Sequence, residues 1–399
     1  MKEKILKYIS FGSVAVVIPM MMAATISEKM HGSEYALTHF YHSPLFMALW
    51  AAAAIFGLMY IISRKMHRQP ATFTLHIAFV IILAGAFITY ISGKGGYITL
   101  LPGESKSVYE TEDGLQVDLP FSVKLEKFEV QYYPGTKHPS DYVSTVVFEQ
   151  DGESRECVIS MNKIGKIAGW RLYQADYDMS DGSTTLALSS DPWGIAFTYT
   201  GYLLLLLSMI GFFFQKNTAF RTTLARVNGK IPAAIAVLCL AGVLVMMRKF
   251  IFTGGSHLMP VLRTPLLQVH VISIVWAYFI FFAVMVAGIA GLIVSKEKSA
   301  AIRDVSLTML YPAVFLITFG TFLGAVWANI SWGNYWAWDP KETWALITLL
   351  IYAATLHQGS LSFLSKPRNF HIYCILAFLS VLITYFGVNM LLGGMHSYA

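Results

Sequence analysis

Charged residues are scarce in this chain, at 13% of its 399 positions, and cysteines number only three. With 56% hydrophobic residues and a mean hydropathy of +0.56, that scarcity excludes an ordinary soluble domain. Cys157, Cys239 and Cys374 are scattered and form no Cys-x-x-Cys pair, which argues against dithiol redox chemistry and against a zinc site. Internal repeats and low-complexity tracts are also lacking. Acids are fewer than bases, 23 against 29, giving a pI near 9.0. The placement of those bases, described next, makes the balance a matter of membrane topology, so nucleic acid is not an expected partner.

What the chain does have is long apolar runs, nine of them: about 8–27, 44–63, 71–92, 194–214, 231–247, 267–294, 306–328, 343–358 and 370–391. Crossing ~30 Å of hydrocarbon takes about 20 residues, and the fifth and eighth runs are the shortest. The first follows Lys2, Lys4 and Lys7 as a signal peptide would. It contains Pro19 and no small-residue cleavage site follows it, so it reads as a retained anchor. With the N-terminus in the cytoplasm, the inner segments are 1–7, 64–70, 215–230, 295–305 and 359–369. They hold 15 Lys and Arg against three acids, Glu3, Glu297 and Asp304. The outer segments hold the other 14 bases and 20 acids. Positive charge stays inside, so this is the expected orientation.

The expected fold is a polytopic α-helical membrane protein with about nine transmembrane helices and one small extracytoplasmic β-rich domain. Residues 1–92 supply three N-terminal helices, and 93–193 the β-rich domain. Residues 194–230 form the fourth helix and a cytoplasmic linker, and 231–399 a five-helix domain with a tryptophan-rich loop at 329–344. The β assignment rests on alternation in Phe121-Ser-Val-Lys-Leu-Glu-Lys-Phe-Glu-Val130 and Tyr142-Val-Ser-Thr-Val-Val-Phe148. Turn formers, Tyr133-Pro-Gly135 and Gln150-Asp-Gly152, separate these segments.

Four of the nine tryptophans, Trp332, Trp336, Trp338 and Trp344, fall within 13 residues between the seventh and eighth runs. So many flat rings suggest a platform for a large planar ligand. The plainer alternative is an aromatic belt where helices leave the bilayer. Asp339-Pro-Lys-Glu342 fits an N-cap, a proline at N1 and an acid at N3, opening the eighth helix. Lys341 is a candidate partner for an anionic group, or a solvated lysine.

Topology sorts the eleven histidines. His76 lies about a turn into the third span, and His357 ends the eighth, about 13 residues and ~20 Å past Trp344. Both therefore sit toward the cytoplasmic side. His270 opens the sixth span from outside and His396 follows the last, so these two flank the tryptophan loop. Imidazoles from different helices suit the two axial faces of haem iron, and an ionisable group in a membrane span is a functional candidate. Hydrogen bonding to a neighbouring helix is the competing role, and it is the one expected of His371. His31, His39, His42, His67, His138 and His257 read as solvated loop residues.

The run Trp332-Gly-Asn-Tyr-Trp-Ala-Trp-Asp339 resembles the WWD motif of haem-handling membrane proteins, and Pro340-Lys-Glu-Thr-Trp-Ala345 fits their cytochrome c synthase branch. Gln131-Tyr-Tyr-Pro-Gly135, Ser144, Asn162, Gly169-Trp-Arg-Leu-Tyr-Gln-Ala-Asp-Tyr177 and Asp191-Pro192 resemble the ResB-type (CcsB) component of System II cytochrome c maturation. The remainder resembles its CcsA partner, so the likeness covers essentially the whole chain as a CcsB–CcsA fusion, although both halves are short.

The resemblance implies a holocytochrome c synthase (cytochrome c haem lyase) of a bacterial cytoplasmic membrane, with haem b as substrate and transient ligand. It implies that His76 and His357 ligate haem iron within the membrane and that His270 and His396 ligate it outside. Trp332, Trp336 and Trp338 would line the outer site, with Trp344 and Asp339 beside it. The implied partner is apocytochrome c bearing Cys-x-x-Cys-His. Having no dithiol of its own, the chain is expected to depend on a thioredoxin-like reductant. Two rivals are a haem exporter or chaperone without ligase activity, and a bis-histidine electron carrier.

Overall fold

The computed structural model describes residues 2–227 and 264–392, together with Val237 and Ala241. Apart from those two positions the fifth apolar run lies outside the described residues, as do Cys239, His257 and His396.

Ten α-helices and an eight-stranded sheet follow one another along the described chain. Helix α1 (Lys2–His31) opens with Glu3 in its first turn and ends with Lys29 in its last, each charge matched to the helix dipole. Short α2 (Ser33–Ala36) and a π-helical turn (Leu37–Tyr41) lead into α3 (Pro44–Ser63) and α4 (Pro70–Ser92). After the sheet come α5 (Pro192–Phe214), α6 (Ala219–Leu224), α7 (Pro265–Ile293), α8 (Lys296–Trp332), α9 (Pro340–Leu356) and α10 (Pro367–Leu382). The last of these continues as a π-helix, Ile383–Leu392. Six helices carry proline in their first turn, where its missing N–H costs nothing and its fixed φ suits the helix. Ser43, Asp191, Thr264 and Asp339 cap four of these with side-chain oxygens.

Seven described helices are long and apolar enough to cross a membrane. The eighth run forms α9, which has only 17 residues. Pro312 stands inside α8, which runs unbroken from Lys296 through the expected inner segment. His31 and His39 are likewise helical, in α1 and the π-turn, and both stack on Tyr35.

The helical core centres on α7 to α10, with the Phe281 and Tyr352 rings stacked 3.7 Å apart. Helices α4 and α5 meet through small residues: a Cβ on Gly85 would run into Thr198, and one on Gly201 into Ile82. With no hydrophobic drive between helices in lipid, such close backbone approach is what gives dispersion its contacts.

The sheet comprises β1 (Lys94–Leu100), β2 (Ser105–Glu110), β3 (Gln116–Tyr132), β4 (Pro139–Gln150), β5 (Glu153–Ile159), β6 (Gly165–Ile167), β7 (Trp170–Asp178) and β8 (Ser183–Ser190). Its order is β5-β4-β3-β2-β1-β8-β7-β6, with every pair antiparallel. The two ends curl toward each other like a barrel. Ser144 on β4 donates to Gln174 on β7 at 2.7 Å, and a Cβ on Gly165 would lie 3.0 Å from Phe148. Alternate residues of β3, β4 and β8 point inward, among them Val123, Leu125, Val146, Phe148, Leu186 and Leu188. The β4–β5 turn has Asp151 and Gly152 both at positive φ, 53° and 82°, as a tight hairpin requires.

Contacts sort the helix ends into two groups. Lys7 reaches Ser360 O (3.2 Å), Ala71 N–H donates to Gln215 (2.7 Å), Arg226 faces Asp304 (3.6 Å), and Arg303 donates to Ser365 O (2.6 Å). The basic segments thus share one end of the bundle. The sheet and the tryptophan loop share the other, where Tyr335 meets Thr89 at 2.8 Å.

Candidate functional site

At the basic end, the His76 and His357 rings stand 6.0 Å apart between centroids and nearly perpendicular, at 88°. They come from α4 and from the residue that caps α9, 281 positions apart. Each Nδ1 bonds the backbone carbonyl four residues earlier in its own chain segment, Thr72 at 2.7 Å and Ala353 at 2.8 Å. As those carbonyls only accept, both Nδ1 atoms carry the proton and both Nε2 atoms keep a lone pair. Phe11 packs edge-on to His357 at 5.6 Å. Metal–imidazole bonds run about 2.0–2.1 Å, so with a ring nitrogen about 1.1 Å from its centroid, two imidazoles on opposite faces of one iron have centroids about 6 Å apart. The pair fits that spacing.

At the other end, α8 stops at Trp332 because Gly333 takes the left-handed φ of 82°. A Cβ there would also strike the Tyr173 ring of β7, so the glycine serves both the turn and the contact with the sheet. Tyr173 donates its hydroxyl to Asn329 O (3.3 Å), and Ser189 donates to Gly333 O (3.4 Å). Burial pushes the Tyr173 phenol up, keeping it a neutral donor. Asn329 in turn donates to Tyr199 at 2.7 Å. Tyr335 is buried and shares a hydrogen bond with Thr89, which donates to Asp191 at 2.6 Å. The loop is thereby tied to the sheet, to α4 and to the start of α5.

Trp332, Trp336 and Trp338 are half-buried. Trp336 and Trp338 meet edge-to-face at 5.7 Å, and Trp338 stacks on Tyr41 at 4.5 Å and 12°. Trp338 is held at φ 58°, a left-handed value that bulky residues rarely adopt and that clusters at functional positions. The Trp336 Nε1–H is buried and has no acceptor among the described residues. Leaving such a donor unmet costs about 1–3 kcal/mol, and a ligand oxygen is one partner that removes the cost. Trp344 differs from the other three. It is 5% exposed, donates its indole N–H to Thr25 at 3.1 Å, and packs in the core between α1 and α9.

Asp339 caps α9, its Oδ1 accepting the Lys341 N–H at 2.8 Å, and Glu342 accepts from Ala337 N at 2.9 Å. The Lys341 ammonium donates to Asn389 at 2.8 Å, joining the loop to the last helix. His270 lies against α8, where its Nδ1 bonds Gly320 O at 2.7 Å and a Cβ on Gly324 would fall 2.6 Å from its ring. The Gly320-x-x-x-Gly324 spacing opens a groove on α8 wide enough for an imidazole. His371 is fully buried, its Nε2 donating to Ser299 O at 3.0 Å, and so joins α10 to α8. Cys157 is half-buried in β5 with its thiol pushed up by burial, away from the reactive thiolate.

Residues 193–396 match the family described as cytochrome C assembly protein, just over half of the chain. The chain belongs to that family. Residues 63–200 match the ResB-like family, so this family member is a CcsB–CcsA fusion of the System II type. It is similar to NrfI of Wolinella succinogenes, 39% identical over 162 residues, which are 36% of this chain and 17% of NrfI. It is similar to the cytochrome c biogenesis protein CcsA of Cuscuta reflexa, 29% identical over 268 residues, covering 59% of this chain and 80% of CcsA. A third relative, CcsA of Pyropia yezoensis, is 54% identical over 90 residues, 21% of this chain and 26% of CcsA. The match thus spans under a fifth of NrfI. This cytochrome c assembly protein is a multi-pass membrane protein of a cytochrome c biogenesis family.

The sequence reading missed Tyr41, Tyr173, Asn329 and Tyr335. Only the last lies inside the tryptophan motif. Gly320-x-x-x-Gly324 was a visible signal for the His270 groove and the Gly169–Tyr177 run a general one for Tyr173, whereas nothing near Tyr41 marks it as a partner of Trp338, 297 residues away.

Proposed function

We propose that this protein is a holocytochrome c synthase. The observation that carries the proposal is the His76–His357 pair: two imidazoles from separate membrane helices, at the spacing of trans axial ligands, with both Nε2 lone pairs set by backbone hydrogen bonds. In this reading the basic end faces the cytoplasm of a bacterial inner membrane, and the β-domain and C-terminus face outward. Haem b enters at the histidine pair and passes to the tryptophan loop. There Trp332, Trp336 and Trp338 line its plane, Trp336 donates to a haem oxygen, and His270 and His396 take the iron. Trp344 and Asp339 support the loop from behind, as core packing and as helix cap.

Apocytochrome c then presents Cys-x-x-Cys-His. Each thiol adds across a haem vinyl group: a sulfur–carbon bond forms, and the thiol proton ends on the neighbouring vinyl carbon. Neither partner is oxidised or reduced in that addition. Catalysis is mainly positioning, because holding two thiols against two vinyl groups turns a multimolecular encounter into an intramolecular one. A thioredoxin-like partner keeps the apocytochrome thiols reduced, as this chain carries no dithiol.

Co-expression with a Cys-x-x-Cys-His reporter tests the proposal. Covalent haem on the reporter, lost in His270→Ala and partly restored by added imidazole, is the expected result. A reporter without covalent haem beside a haem-loaded protein would make the chain an exporter or electron carrier instead.

A further inference from the structure

Five described residues other than glycine hold a positive φ. Lys65, Asp151, Ala168 and Asn217 do so in turns, whereas Trp338 does so outside any turn and carries the bulkiest side chain of the five. Such a backbone persists only where its surroundings over-determine it, so the contacts that hold Trp338 identify what the loop depends on.

Two of those contacts come from the start of α9. The Ala337 N–H donates to the Glu342 carboxylate at 2.9 Å, and the Trp338 carbonyl accepts from the Thr343 hydroxyl at 3.2 Å. Thr343 has one proton to give, and that carbonyl takes it. The Tyr41 hydroxyl, 3.2 Å from the same Thr343 oxygen, is therefore the donor to it. A relay thus runs from Tyr41 O–H through Thr343 O–H to Trp338 C=O. Tyr41 is 3% and Thr343 0% exposed, so neither link is open to water. The Tyr41 ring also stacks on the Trp338 indole at 4.5 Å and 12°, and Phe46 meets both rings edge-on, at 5.6 and 5.3 Å. One side chain therefore holds Trp338 twice, by its ring plane and by its carbonyl, and occupies one face of the indole.

Tyr41 belongs to residues 1–62, which precede both matched regions, 63–200 and 193–396. Trp344 leans on the same segment, donating its indole N–H to Thr25. We infer that Tyr41 is a positioning residue for haem attachment: it fixes the backbone and the ring plane of Trp338 and leaves a planar ligand only the opposite indole face. The inference rests on reading the tryptophan loop as a haem platform. It makes the segment between α1 and α3 part of the outer site, although Tyr41 itself touches no reacting atom.

The test measures covalent haem on a co-expressed Cys-x-x-Cys-His reporter, per folded full-length protein, with thermal unfolding of each variant alongside. Tyr41→Leu should lower attachment about tenfold, within the ~100-fold that a 1 Å misplacement can cost. Tyr41→Phe keeps the stack and loses the relay, so it should lower attachment only about threefold, the low end of one neutral hydrogen bond. Thr343→Val breaks the relay from its other end and should cost at least as much. Combining it with Tyr41→Phe should cost no more than Thr343→Val alone, because the relay acts as one unit. Tyr41→Leu should likewise add nothing to Trp338→Ala, whereas a side chain that only packs the fold would add its own loss. If Tyr41→Leu does not accumulate, the Tyr41→Phe and Thr343→Val pair decides alone. Wild-type attachment by the folded variants, losses that multiply in the double variants, or losses that vanish on normalising to folded protein would overturn the inference and leave the synthase reading standing. A wild-type chain that puts no covalent haem on the reporter removes that reading and the inference with it.

Discussion

The two ends of the bundle hold their aromatic and histidine groups by different means. At the basic end, His76 and His357 sit on regular helix or at its cap, and each ring is steered by a hydrogen bond to its own backbone four residues earlier. At the sheet end, Trp332, Trp336 and Trp338 lie at or beyond a helix terminus. Their loop is held by tethers from elsewhere: Tyr173 and Ser189 from the sheet, Thr89 from α4, and Tyr41 stacked under Trp338. A helix position is stiff by construction, because its backbone is fixed on both sides. A loop becomes stiff only if other elements fix it, and here those elements include the β-domain. The arrangement at the sheet end is thus sensitive to changes far from the ligand, whereas the basic end answers mainly to changes in the histidines themselves.

The strongest challenge to this contrast is removal of both inner imidazoles. His76→Ala with His357→Ala should eliminate the haem that co-purifies with the protein while the protein still inserts and folds. Unchanged haem content and an unchanged absorption spectrum would return both residues to helix packing. Next in size is a comparison within the tryptophan motif. Trp344→Ala should destabilise the fold by about 3–5 kcal/mol, as truncation of a buried tryptophan does, read as a lowered unfolding temperature. Trp336→Ala should leave that temperature near wild type and lower covalent attachment to the reporter. Equal thermal losses in the two variants would show that the motif is one packing unit.

Gly333→Ala probes the tether from the sheet. A Cβ at φ 82° that also meets Tyr173 should cost about 1–3 kcal/mol, and Tyr173→Ala in the same chain should recover the steric part of it. Thermal unfolding of the single and double variants gives the coupling, and strict additivity would dissolve the sheet–loop contact as an energetic link. The smallest effect is expected at Asp339. Asparagine caps a helix about as well as aspartate, whereas alanine costs about 0.5–2 kcal/mol. Asp339→Asn should therefore stay close to wild type in both stability and attachment. If Asp339→Asn instead abolishes attachment in a stable protein, the carboxylate has a chemical role.

Much of the fold is legible in the sequence. Apolar runs of bilayer length became α1, α3, α4, α5, α7, α8 and α10, since a span must satisfy its backbone internally and helix is the local way to do so. Asp339-Pro340 opened α9 as its capping chemistry dictates, and the alternating segments at 121–130 and 142–148 paired as β3 and β4. The candidate site was legible only in part. The residue types could be read, and so could the placing of His76 and His357 toward one end of their helices, because both follow from local hydropathy. Which of four neighbouring tryptophans turns into the core could not, because the αL turns at Gly333 and Trp338 break the helical period that would have predicted it.

The amino-acid sequence by itself therefore determined seven bilayer-length helices, the cap that opens α9 and the strand alternation. All of these follow from local hydrophobicity and hydrogen-bonding demand along a few turns of chain. Only the tertiary structure decided that His76 meets His357 across 281 residues, that Tyr41 lies under Trp338, and that Tyr173 closes on Gly333. The physical reason is that each of these contacts depends on which helices pack together and at what rotation. That choice is made by small residues and shape complementarity between distant segments, and no local pattern encodes it.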